Sequence, residues 1–213
     1  GAKKSISSGS NVEWVEEESY FFRLSKWQDK LIEFYSKNPN FILPETRKNE
    51  VISFVKSGLK DLSVSRKSFN WGIKVPSNKE HVIYVWLDAL TNYLSALNYP
   101  NESDNLYKSF WPADLHLIGK DILRFHAIYW PAFLLAADIK PPKRVFGHGW
   151  ILSGDEKMSK SKGNILDPLE IIDNYGLDPL RYYLIKEVSF GNDGNISQEK
   201  LELCINSDLA NNY

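Results

Sequence analysis

Cysteine is almost missing from this sequence: 213 residues contain one, Cys204. A single thiol excludes a disulfide within the chain and a zinc site built from its cysteines, and it fits a reducing compartment. A long apolar run is missing too. The longest, at 127–137, has 11 residues and is interrupted by Pro131, whereas a bilayer span needs roughly 20. The opening GAKKSISSGSN is polar and lacks the apolar core of a secretory signal. Nor does one sign of charge dominate. Lys and Arg number 26 against 27 Asp and Glu, a net of −1, so no global basic field advertises nucleic acid, although local patches stay open. No repeat and no low-complexity stretch is visible. Together these absences predict a soluble cytoplasmic protein with no membrane part.

What is present is a globular make-up, 43% hydrophobic and 14% aromatic, at a length of about one domain. The apolar spacing in 20–37 predicts a helix that stops at Asn38-Pro39. A second helix is predicted over 45–57, with Pro44 at its start, Val51, Ile52 and Val55 on one face, and Gly58 just past its end. HVIYVWL at 81–87, LHLIG at 115–119 and RVFGHGW at 144–150 are short apolar runs of buried-strand type. The segment 120–137 reads as helix with Asp121 in its first turn. Asp167-Pro168 opens another helix, Gly176 closes it, and Asp178-Pro179 opens the next. Strands alternating with helices predict an α/β fold with a parallel sheet. Residues 1–60 offer no strand, tight turn and helix of the kind that starts a doubly wound nucleotide fold. The expectation is therefore the second half of such a Rossmann-like sheet, followed by the start of an α-helical domain.

The chemistry concentrates in Asp155-Glu156-Lys157-Met158-Ser159-Lys160-Ser161-Lys162-Gly163-Asn164. Three lysines in six positions, interleaved with serines, make a loop dense in cations and hydroxyl donors, suited to holding a polyphosphate transiently. A solvated surface loop is the plain alternative. On the 120–137 helix, Ile122, His126 and Trp130 stand four apart and share a face; such a stripe is core or pocket.

Lys-Met-Ser-Lys-Ser resembles the second signature of the class I aminoacyl-tRNA synthetases. Five specified residues arise by chance in roughly one such chain in 10⁴. Tyr84-Val85-Trp86-Leu87-Asp88-Ala89, Gly119-Lys120-Asp121-Ile122, Phe125-His126, Trp130-Pro131, Asp61-Leu62-Ser63-Val64-Ser65-Arg66 and Val188-Ser189-Phe190-Gly191-Asn192-Asp193-Gly194 are similar, in order and spacing, to the methionyl-tRNA synthetases. The likeness runs from about residue 12 to the end.

The resemblance implies a methionine–tRNA ligase with methionine, ATP carrying Mg²⁺, and tRNA as its partners. It gives Lys157 and Lys160 the catalytic role of stabilising the transition state of adenylate formation. It places Gly119, Asp121, His148, Gly149, Trp150 and Lys160 at ATP, where Asp121 would accept from ribose hydroxyls or merely cap its helix. His148 would contact adenine or be a buried structural histidine. Around the methionine side chain it places Trp86, Ala89, Leu90, Tyr93, Ile118, Ile122, Phe125, His126 and Trp130. Aromatic faces and the polar groups of Tyr93 and His126 suit a thioether. Leu90 stands where the family often has proline. The implied domains are 1–60 (tail of an inserted connective region and leading helices), 61–187 (second half of the catalytic domain) and 188–213 (linker and start of the helical anticodon-binding domain).

The family's first signature, His-Ile-Gly-His, is absent; His116-Leu117-Ile118-Gly119 comes near it but ends in Lys120. The zinc-binding cysteines and the carboxylate that grips the methionine amino group are absent as well, so no metal site is named here. The chain is expected to be an internal segment, inactive or nearly so alone. A synthetase for another apolar amino acid, and a noncatalytic tRNA-binding or scaffold module, are the competing readings.

Overall fold

The computed structural model describes residues 3–4, 11–12, 16–153, 156–158 and 166–212, with 3–4, 11–12 and 156–157 described through their backbone. Strands β1 (Lys3–Lys4) and β2 (Asn11–Val12) form an antiparallel pair. β3 (Phe21–Phe22) leads through a 3₁₀ turn at Leu24–Trp27 into α1 (Gln28–Lys37). The helix predicted over 20–37 thus covers only its last part. Phe21 and Phe22 pair instead with β5 (Leu62–Ser63), and the Asp61 carboxylate takes the Ser25 N–H and hydroxyl at 3.1 and 2.5 Å. A partner forty residues away overrides the local period.

β4 (Ile42–Leu43) precedes α2 (Glu45–Lys56), which starts after Pro44 and ends before Gly58 at φ +107°. Next come β6 (Ser65–Arg66), β7 (Lys74–Val75) and β8 (Asn78–Ile83), an antiparallel sheet in the order β6-β8-β7. The strand predicted over 81–87 therefore stops at Ile83. Tyr84 turns the chain, and 85–87 open α3 (Val85–Ser95), whose Leu90 and Leu94 are buried. A run apolar on all sides suits a buried strand or a buried helix equally, and here it contains the join between the two.

After α4 (Asn105–Phe110), β9 (His116–Gly119) enters the sheet that organises the site. A helical run over 120–136 ends in α5 (Trp130–Ala136) and returns the chain to β10 (Val145–His148). β10 lies between β4 and β9, parallel to both. Its Val145, Phe146 and Gly147 are buried, as a central strand requires. Leu31, Tyr35, Val51, Val55, Ile118, Leu123 and Ile128 form one core against this sheet, while Leu90, Leu94, Trp111, Trp130 and Leu134 form a second on α3.

β11 (Ile151–Ser153) pairs antiparallel with β12 (Glu156–Lys157) and parallel with a later strand, β13 (Gly194–Ile196). Between them lie α6 (Pro168–Tyr175) and α7 (Leu177–Glu187). Asp167 caps α6 by accepting from the Leu169 N–H at 2.9 Å, and Gly176 at φ +92° separates the two helices. α8 (Gln198–Cys204) and a wide helical turn at Ile205–Ala210 finish the described chain. The architecture is α/β and Rossmann-like, followed by helices. No helix of the described residues is long and apolar enough to cross a membrane.

Candidate functional site

The helical run after β9 is irregular where the sequence concentrates its side chains. It begins as a 3₁₀ turn at Lys120–Ile122, and at Phe125–Tyr129 it widens so that the Trp130 N–H reaches back to the Phe125 carbonyl. Pro131 accounts for the widening. Its ring collides with the carbonyl four residues earlier in a regular helix, and it has no N–H to give that carbonyl. The Ala127 oxygen, without a donor at residue 131, is served from outside by the buried Tyr35 hydroxyl at 2.6 Å.

At the carboxyl ends of β9 and β10, Gly119, Asp121, His148, Gly149 and Trp150 line one cavity of about 510 Å³. Leu117, Ile151, Ile185 and Phe190 supply apolar wall. Asp121 folds back over Gly119, where an added Cβ would stand 2.6 Å from Asp121 Oδ1. His148 is exposed rather than buried, and its Nδ1–H donates to the Gly149 carbonyl at 2.7 Å. Gly149 is buried for a reason its sequence did not disclose. A Cβ there would lie 2.2 Å from the carbonyl carbon and oxygen of Asn192, so the close approach it permits is that of the chain's own backbone. Five of the six residues expected at ATP are thus brought together; the sixth, Lys160, lies outside the described residues.

Several of the residues expected at the thioether form an aromatic cluster between α3 and the wide turn. Trp86 stacks on Phe125 with centroids 3.7 Å apart. Tyr93 Oη and His126 Nε2 are 2.9 Å apart, and His126 Nδ1 lies 3.1 Å from the Ile122 carbonyl. A carbonyl only accepts, so Nδ1 carries the proton and Tyr93 donates to Nε2. Burial lowers the His126 pKa and raises that of Tyr93, which favours this neutral pair. Trp130 is buried nearby. Ala89 is exposed on α3 and Ile122 is partly buried. Leu90 and Ile118 lie deeper, inside the two cores at 1% and 5% exposure.

His116, noted in the sequence only for its nearness to the first signature, was given no place in the pocket. It is buried on the inward face of β9, its ring 4.2 Å from that of Tyr93. Burial, helped by neighbouring His126, pushes its pKa down to about 4. Alternation along β9 was the available signal, since 116 and 118 share a face. Of the expected catalytic lysines, Lys157 is described by its backbone in β12, opposite Leu152. Lys160 lies outside the described residues.

The sequence profile of the class I tRNA synthetases (M) matches residues 2–213. A methionine–tRNA ligase of Rickettsia felis is 64% identical over 204 residues, covering 96% of this chain and 40% of that protein. Methionine–tRNA ligase 1 of Bacillus anthracis is 61% identical over 98% of this chain and 32% of its own. Mycobacterium tuberculosis methionyl-tRNA synthetase, solved with methionyl-adenylate, superposes with a TM-score of 0.92 at 55% identity, over 99% of this chain and 42% of that one. The chain spans about two fifths of the length of such relatives.

Proposed function

The chain belongs to the class I tRNA synthetases (M), and on that premise we propose that it is the ATP- and methionine-binding part of a cytoplasmic methionine–tRNA ligase. The observation that carries this reading is the meeting of Gly119, Asp121, His148, Gly149 and Trp150 around one cavity at the carboxyl ends of parallel strands. In open α/β sheets ligands bind there. The presence of methionyl-adenylate in the M. tuberculosis neighbour supports the same pairing of substrates.

Adenylate formation is an in-line displacement. A carboxylate oxygen of methionine attacks the α-phosphorus of ATP, the bond to the bridging oxygen breaks, and pyrophosphate leaves. Such a step needs positioning and cations rather than covalent help from the protein. Asp121 accepts from the ribose hydroxyls, Gly119 leaves room for that carboxylate, and the 148–150 segment borders the adenine. Lys157 and Lys160 have the role of stabilising the transition state, Lys160 above all, by offsetting the charge that builds as pyrophosphate departs. Methionine's thioether packs among Trp86, Tyr93, Phe125, His126 and Trp130, with Ala89, Leu90, Ile118 and Ile122 as lining and support. A terminal ribose hydroxyl of the tRNA then attacks the carbonyl carbon, and AMP leaves. Mg²⁺ would come with ATP; among the described residues no cluster of three or more His, Cys, Asp or Glu could hold a metal.

Residues 61–187 form the catalytic part, 1–60 lead into it, and 188–213 open the helical domain after contributing β13. ATP–pyrophosphate exchange against all twenty amino acids, with the chain alone and with the full-length protein containing it, tests this reading. Methionine-dependent exchange is expected from the full-length protein, lost in Lys160→Ala, with little from the chain alone. Exchange with another amino acid overturns the specificity. No exchange by either overturns the ligase in favour of a tRNA-binding module.

A further inference from the structure

The stretch 188–194 gives the cavity the wall residue Phe190, and it also closes the nucleotide end of the sheet. Phe190 stacks on Phe146 of β10 at 4.2 Å, and Gly191, at φ +91°, passes over Pro44 and that ring. The backbone at Asn192 fills the space beside Gly149. Asp193 then uses both carboxylate oxygens: Oδ1 accepts from the Trp150 N–H at 2.9 Å and Oδ2 from Lys120 Nζ at 2.7 Å. The same ammonium lies 4.2 Å above the Trp150 ring, and the Gly194 N–H returns to the Trp150 carbonyl at 2.9 Å. One side chain therefore joins the residue after β9 to the segment after β10. Lys120 is also the residue between Gly119 and Asp121.

We infer that Asp193 is a positioning residue of the nucleotide site: by fixing Lys120 and Trp150 together it sets the separation of the Gly119–Asp121 and His148–Trp150 edges between which ATP is held. The inference rests on the ATP reading of that cavity. Lys120 and Asp193 are largely sheltered, at 16% and 34% side-chain exposure, so the pair is screened less than a surface bridge. The contact is charge-assisted on one oxygen and made to backbone on the other, which fixes direction as well as distance.

The two bonds can be cut separately. Asp193→Asn keeps an oxygen for the Trp150 N–H but offers Lys120 no anion; Asp193→Ala removes both. In the full-length synthetase, ATP–pyrophosphate exchange at saturating methionine should show KM for ATP rising about tenfold or more in Asp193→Ala and less in Asp193→Asn, a charge-assisted bond being worth that much. Asp193→Glu should recover part of the loss. KM for methionine should stay within about twofold, because Asp193 bonds to Lys120 and Trp150 and to none of the residues placed at the thioether. A purely structural latch predicts the opposite pattern, in which both KM values and the melting temperature move together. That result, or an unchanged KM for ATP, overturns the inference. Should Asp193→Ala fail to fold, the ratio of the two KM values in Asp193→Asn decides alone. Failure of the ATP reading would look different, since the unmutated enzyme would then show no exchange.

Discussion

The hydroxyl of Tyr35 holds the distorted helix from the side, and its removal is the sharpest test of that arrangement. Tyr35 is 2% exposed, and its O–H meets the Ala127 carbonyl at 2.6 Å. Tyr35→Phe keeps the ring against Phe34 and Phe41 and deletes only this donor. Ala127 is fully buried, so water cannot replace the donor without the core opening. A buried carbonyl left alone costs about 1–3 kcal/mol. With a urea dependence of about 2 kcal/mol per molar, the unfolding midpoint should fall by roughly 0.5–1.5 M.

The reason for the orphan can be removed as well. Pro131→Ala restores an N–H four residues after Ala127, at the cost of the proline's stiffness in the unfolded chain, about 0.4–1 kcal/mol, and of some packing. In that background Tyr35→Phe should be cheaper, because the carbonyl has a second donor within reach. Urea unfolding followed by tryptophan fluorescence on all four proteins gives the coupling, expected at about 1 kcal/mol or more. Equal costs of Tyr35→Phe in the two backgrounds would show that the hydroxyl does not stand in for the missing proline N–H, and the argument would fail.

Acid should act through His116. Its folded pKa of about 4 lies below the ordinary 6.5, so the unfolded state binds the extra proton. Stability from this residue is complete above about pH 6.5 and declines as pH falls toward 4; the share lost between pH 7.5 and 5 is about 2 kcal/mol. His116→Phe should shrink the pH dependence of unfolding by that amount, and an unchanged dependence refutes the assignment. The two glycines of the cavity should part company. Gly149→Ala drives a methyl into the backbone at Asn192 from 2.2 Å, and should cost about 3 kcal/mol in urea unfolding. Gly119→Ala meets the end of the Asp121 side chain at 2.6 Å rather than backbone, so it should cost less stability than Gly149→Ala while raising KM for ATP in the full-length enzyme. A Gly119→Ala protein as unstable as Gly149→Ala would refute the distinction between a side-chain and a backbone clash.

Much of the fold was legible because its signals are local. The Asp167-Pro168 start, the turn at Gly176, the limits of α2 and the strands β9 and β10 each follow from residues within a few positions of one another. The misses share a different cause. Phe21 and Phe22 take their conformation from Leu62 and Ser63, and the two-residue β4 exists because β10 needs a second neighbour. The 81–87 run hid a strand end and a helix start in one apolar string, although Trp86, Leu90 and Tyr93 already stood at helical spacing. At the site, residue types and order picked out side chains that the structure gathers into one cavity and one aromatic cluster. What they could not show was support: Gly149 answers to Asn192, Ala127 to Tyr35, and Trp150 to Asp193, each far away in sequence.

These supports converge on one element. The helix after β9 begins at the nucleotide cavity, with Asp121 in its first turn, and carries Phe125 and His126 one turn later. The distance between the two proposed substrates is therefore written into the geometry of a single helix. A regular α-helix would fix that distance by its pitch. This one starts tight, at Lys120–Ile122, and then opens at Phe125–Tyr129, so the second group is turned relative to the first by an amount no periodic pattern encodes. Departures of this kind store strain and persist where neighbouring structure over-determines them. Here Tyr35 bonds the open part from α1, and Asp193 ties down the residue at the tight part from beyond α7. The distance between the two proposed sites is thus held by Tyr35 and Asp193, residues outside both of them, and substitutions at either should be felt at the proposed site nearest to it.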